Sequence, residues 1–100
     1  MEFEEACSAV ADLFEALPET WTINALARDE NGVGTRAADP SAVSWCAIGG
    51  LLVTYGHVAD IGLKLQRYSN QLGYPDAVTA NNIGGRLVAI KMLRLAAGVA

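Results

Sequence analysis

Apolar residues at Phe3, Cys7, Val10, Phe14 and Leu17 recur at i, i+4, i+7, i+11 and i+14, which is one face of a helix over residues 3–17, widened by Leu13. Glu2, Glu4 and Glu5 sit in its first turn, where the helix dipole favours negative charge, and Pro18 closes it. From Pro40 to Ala59 there is no Asp, Glu, Lys or Arg. Asp39-Pro40 reads as an N-cap followed by proline at the first helical position. The pattern predicts a helix from there to about Tyr55, apolar nearly all round and central to the fold. Val58, Ile61, Leu65, Tyr68 and Leu72 then step by 3, 4, 3, 4, the cleanest amphipathic pattern of the chain, over 57–72. Gly73 is its C-cap candidate and Pro75 follows closely. A connection over 74–82 leaves room for one helical turn after Asp76. The last helix runs from about Ile83 or Gly85 to Ala97, with Asn81 or Asn82 as its cap.

Residues 19–38 break the helical period. The stretch Trp21–Ala27 is partly β-branched and aromatic, and Asn31-Gly32 is a strong turn signal. A short hairpin or ordered loop is expected here, carrying Arg28 and Arg36. The reading is a mainly α single domain over 1–100, about four helices around a central apolar helix, with a hairpin or loop insert at 20–38. Gly49 and Gly50 fall in the middle of the predicted central helix, where each costs on the order of 1 kcal/mol against alanine. Close approach of another backbone across that face is the expected compensation.

Composition adds self-association. Apolar residues are 52% and charged residues 18% of the chain, more surface than a monomer of this size readily hides. A homo-oligomer, dimer or higher, is expected. The broad apolar coat of the last helix either meets a second copy or lies between the other helices of one chain. Seven basic against eleven acidic residues, a net charge of -4, argue against a nucleic acid polymer as partner. A pocket for one small nucleotide needs only two or three arginines and stays open. The uncharged run over 40–59 has the length of a membrane span, but its three glycines, two serines, threonine and histidine favour a buried core helix and no membrane partner. The acidic start, Met1 to Glu5, is unlike a leader, so the cytosol is the expected compartment.

Candidate chemistry is sparse. His57, beside Gly56, can serve as a general base or simply cap a helix. No Gly-x-Ser-x-Gly element and no Walker loop accompany it. Cys7, Cys46 and one distant histidine have no metal-ligand spacing, and both thiols lie in apolar patterns where they are inert. The chain is therefore read as a non-enzyme without metal or cofactor. Binding-competent residues fall in three places: Trp21, Arg28 and Asp29 in the insert; Trp45 in the central stretch; Asn81, Asn82 and Arg86 near the last helix. Tryptophan and arginine stack on rings and clamp phosphates, and asparagine amides read base edges. Each also has a plain structural reading: Trp45 as core, Arg28–Asp29 as an ion pair, Asn82 as a cap.

Trp21, Ala25, Ala27-Arg28-Asp29, Gly32, Asp39, Ala42, Trp45-Cys46-Ala47-Ile48-Gly49 and Asn81-Asn82 together resemble a family of small domains from bacteriophages and actinobacteria. The chain departs from that pattern at Gly50, where alanine is usual, and at Asn82, where aspartate is usual. The resemblance brings no catalytic activity with it. It implies a build similar to phage anti-defence sponges such as the Sequestin and Lockin families, which sequester nucleotide immune signals of the cyclic ADP-ribose type in the host cytosol. A protein–protein module that blocks a host protein is the alternative expectation.

Overall fold

The computed structural model describes residues 1–56 and 60–98. The first amphipathic pattern forms α1 (Phe3–Ala16), which buries Ala6, Cys7, Val10, Ala11 and Phe14. A 3₁₀ turn at Pro18–Thr20 follows, as a proline that cannot continue the helix requires. Four more helices stand among the described residues: α2 (Ala47–Thr54), α3 (Ile61–Gln71), α4 (Ala77–Asn82) and α5 (Arg86–Ala96). The fold is mainly α, with Phe14, Leu51, Ile61, Leu65, Met92 and Leu93 fully buried at its centre. Among the described residues no helix is long and apolar enough to cross a membrane.

The insert folds as expected. Strands β1 (Ala27–Arg28) and β2 (Gly34–Thr35) form an antiparallel hairpin around the Asn31-Gly32 turn. The uncharged stretch does not fold as expected. A third strand, β3 (Ser44–Trp45), pairs antiparallel with β1, so the sheet order is β2-β1-β3 and α2 begins only at Ala47. Asp39 caps no helix: its Oδ1 accepts from Ser41 N–H at 2.9 Å and Ser41 Oγ at 2.7 Å, which folds residues 39–41 into a turn. Val43 N–H then donates to Arg28 O at 2.9 Å and Cys46 N–H to Leu26 O at 3.2 Å. A β-branched and aromatic stretch, Val43-Ser44-Trp45, takes the free edge of the hairpin because that edge satisfies its backbone.

Gly49 and Gly50 therefore lie in the first turn of α2, not its middle, but close approach does explain them. A Cβ on Gly49 would stand 1.9 Å from Leu26 O, and one on Gly50 would stand 2.8 Å from Val10 Cγ1 of α1. The insert thus docks its backbone directly on α2.

The predicted amphipathic helix is α3 from Ile61; its expected start at His57 lies outside the described residues. It ends in a Schellman motif, with Tyr74 N–H donating to Ser69 O and Gly73 N–H to Asn70 O, both at 3.0 Å. The turn expected after Asp76 is α4, capped by Thr79 N–H donating to Asp76 Oδ1 at 2.7 Å. Asn81 and Asn82 end α4 and do not cap the last helix. Gly85 holds the N-cap position of α5 at φ 91°, a left-handed backbone that glycine adopts without steric cost. α5 packs against α1, α3 and α4 and buries Ala89, Ile90, Met92, Leu93 and Ala96. Much of its apolar coat is thus consumed within one chain.

Candidate functional site

Asn81 is the residue about which the predicted site assembles. It sits near the end of α4, 2% exposed. Its Oδ1 accepts from Trp21 Nε1 at 2.9 Å and from the Ala47 N–H, in the first turn of α2, at 3.1 Å. Its Nδ2 donates to Thr22 O and to Asn82 Oδ1, both at 3.0 Å. Both donors and both lone pairs of the amide are spent. One side chain thereby joins the insert, α2 and α4. Asn82 adds a further tie, because the Asn24 N–H donates to its Oδ1 at 3.1 Å. Asn24 holds φ 60°, a left-handed conformation that asparagine tolerates better than most residues.

Beside this network lies a cleft of about 250 Å³ between residues 24–26 and α4. Leu26, Ile48, Ala77 and Val78 supply its apolar walls, and Asn24, Asn81 and Asn82 its polar groups. A wider hollow of about 500 Å³ shares Leu26 with this cleft and is otherwise lined by Arg36, Ala37, Ala38, Asp39, Pro40 and Leu52. Arg36 is exposed there. The Asp39 carboxyl is held below the ordinary carboxylate range, chiefly by the Ser41 hydroxyl and backbone N–H that donate to it. It is ionised and acceptor-only near neutrality.

Of the seven residues singled out in the sequence, Trp21, Asn81 and Asn82 converge, and Asn81 and Asn82 line the cleft. Trp45 forms an isolated bridge with Trp21, and its indole N–H donates to Ala37 O at 2.9 Å. The others hold the fold together. Arg28 donates from Nε to Thr22 Oγ1 at 3.1 Å, from Nη1 to Gly32 O at 2.9 Å and from Nη2 to Ile23 O at 3.0 Å. Asp29 Oδ1 accepts from the Asn31 and Val33 N–H groups at 2.9 and 3.0 Å. Arg28 and Asp29 form no ion pair: the salt bridges among the described residues join Arg94 to Asp12 and Glu15. Each residue instead pins the hairpin by its own hydrogen bonds. Arg86 donates from Nη1 to Phe14 O at 3.0 Å, a cation on a carbonyl in the last turn of α1.

Comparison with family models, curated proteins and solved structures yields no match.

Asn24, Leu26, Ile48, Val78 and Arg36 complete the two cavities, and sequence reasoning did not select them. Asn24 carried one signal, an asparagine in a β-rich loop, where a left-handed residue is often needed. The thiols stay protonated. Burial pushes Cys7 up to about 12, with Glu4 adding to the effect, and burial raises Cys46 as well. Cys46 is the N-cap of α2, its Sγ accepting from Gly49 N–H at 3.2 Å, and does not sit in mid-helix.

Proposed function

We propose that this chain is a non-catalytic binding module for a small nucleotide-like ligand. A single observation carries the reading: the apolar, asparagine-edged cleft and the hollow lined by Arg36 and Asp39 share one lining residue, Leu26. The cleft is smaller than the roughly 300 Å³ at which whole-ligand pockets begin, so it suits one flat ring. Leu26, Ile48 and Val78 would cover the ring faces, and the asparagine amides would meet its edge. In the hollow, Arg36 would attract phosphate and Asp39 would accept from sugar hydroxyls. Arg36 thus takes the role that Arg28 and Arg86, both spent on backbone carbonyls, do not offer. In the phage setting that the resemblance implies, homo-oligomers in the host cytosol would sequester a nucleotide immune signal.

The locked guanidinium of Arg28 and the exposed Leu26, Val78 and Ile83 favour a second reading, a surface that blocks a host protein. A thermal-shift screen against mononucleotides and cyclic nucleotides separates the two. Ligand at a hundredfold over Kd adds about 2.7 kcal/mol, and Arg36→Ala should remove most of the gain. Well-folded protein that shifts with no nucleotide would leave only the second reading.

A further inference from the structure

We infer that the cleft selects a keto-bearing ring, of the hypoxanthine or guanine kind, over an amino-bearing ring such as adenine, and that Asn82 sets the choice; this rests on the nucleotide-like reading above. A free asparagine amide reads adenine by donating and accepting at once. Asn82 lacks that freedom. Its Oδ1 accepts from the Asn24 N–H at 3.1 Å and from Asn81 Nδ2 at 3.0 Å, which occupies both lone pairs. Asn81 cannot turn to release it, because its own Oδ1 is held by Trp21 Nε1 and the Ala47 N–H. A flipped Asn82 would set its amino group against two donors. The amide is therefore fixed with its carbonyl inward.

What remains of Asn82 is Nδ2, which donates to no partner among the described residues, on a side chain that lines the cleft. It offers donors and no acceptor. The O6 and N7 atoms of a keto purine place two acceptors on one edge and match it. Adenine sets its N6 donor against the same group, leaving a hydrogen-bonding group unpaired. Asn24 cannot impose the choice: its side chain is exposed at the rim and its amide can turn either way.

Titration calorimetry with inosine monophosphate and adenosine monophosphate, which differ at the 6-keto or 6-amino position of the ring, tests this. The keto nucleotide should bind about tenfold more tightly, the size of one hydrogen bond. Asn82→Ala should abolish the preference. Asn82→Asp keeps an acceptor for Asn24 and Asn81, so it remains informative if the alanine variant does not fold, and it should reverse the preference. Asn24→Ala should weaken both nucleotides alike. Equal binding of the two by the natural chain, or a preference unchanged in Asn82→Asp, overturns the role of Asn82 and leaves the nucleotide reading standing. If folded protein binds neither nucleotide, both fall together.

Discussion

Asn81 spends every donor and acceptor of its amide on three different parts of the chain. Truncation to alanine would strand Trp21 Nε1, the Ala47 N–H and Thr22 O, each at a cost of about 1–3 kcal/mol where it stays dry. Asn81→Ala should lose about 3 kcal/mol in urea denaturation, with a red shift of the tryptophan emission as Trp21 is released. A loss near zero would mean that the network carries no weight. Asp76 supports a different expectation. Its carboxyl is held below the ordinary range by the Thr79 backbone N–H and hydroxyl. A group with a lowered folded pKa stabilises the fold above its unfolded pKa, and that contribution disappears as pH falls through the folded value. The stability advantage of the natural chain over Asp76→Asn, which can still cap but does not titrate, should therefore shrink below about pH 4. An advantage independent of pH would dismiss the cap. At this scale the sequence pointed to Trp21, Asn81 and Asn82 by residue type alone. It could not show that Arg28 and Arg86 bond to carbonyls, because their acceptors are backbone atoms 5 and 72 residues away.

Between elements, contact depends on glycine. The backbone of Leu26 rests on Gly49, where a Cβ would fall 1.9 Å from a carbonyl oxygen. Gly49→Ala should push the insert off α2 and cost about 3 kcal/mol. It should also collapse the cleft that Leu26 and Ile48 share. Gly62 in α3 is the matched control: among the described residues its Cβ would meet only Ile48 Cδ1, at 3.8 Å. Gly62→Ala should stabilise the protein by at most about 0.5 kcal/mol, since Gly62 lies in the first turn of α3, where alanine's advantage over glycine is smaller than in a helix interior. Equal effects of the two changes in thermal melts would refute the close-approach reading. Helix period was legible for α1, α3 and α5 because each presents a long face of regular spacing. The hairpin was legible because Asn-Gly is a local signal. Strand β3 was not, because the partners that make it a strand, Arg28 O and Leu26 O, lie 15 and 20 residues upstream in the chain. An uncharged run without them looks like a buried helix.

Over the whole molecule, the composition that implied self-association is met in two ways. α5 turns much of its apolar surface onto α1, α3 and α4, yet Ile83 and Leu87, at the corner between α4 and α5, stay 76% and 65% exposed. Copies that associate through this corner should separate when Leu87 becomes lysine. Sedimentation should then show a dimer or larger species for the natural chain and a monomer for Leu87→Lys. A monomeric natural chain would remove the expectation. The hydrophobic and polar pattern by itself determined that the chain is mainly α, that a hairpin interrupts it near residue 31, and that α1, α3 and α5 bury defined faces. Those properties rest on spacing within one segment, which sequence records directly. Tertiary structure alone decided where α2 begins, which asparagine is spent and which still offers a donor, and that Arg36 rather than Arg28 lines a cavity. Each of these depends on which distant backbone group reaches a polar atom first, and a hydrogen bond between residues 60 apart, such as Trp21 to Asn81, leaves no periodic trace in the chain.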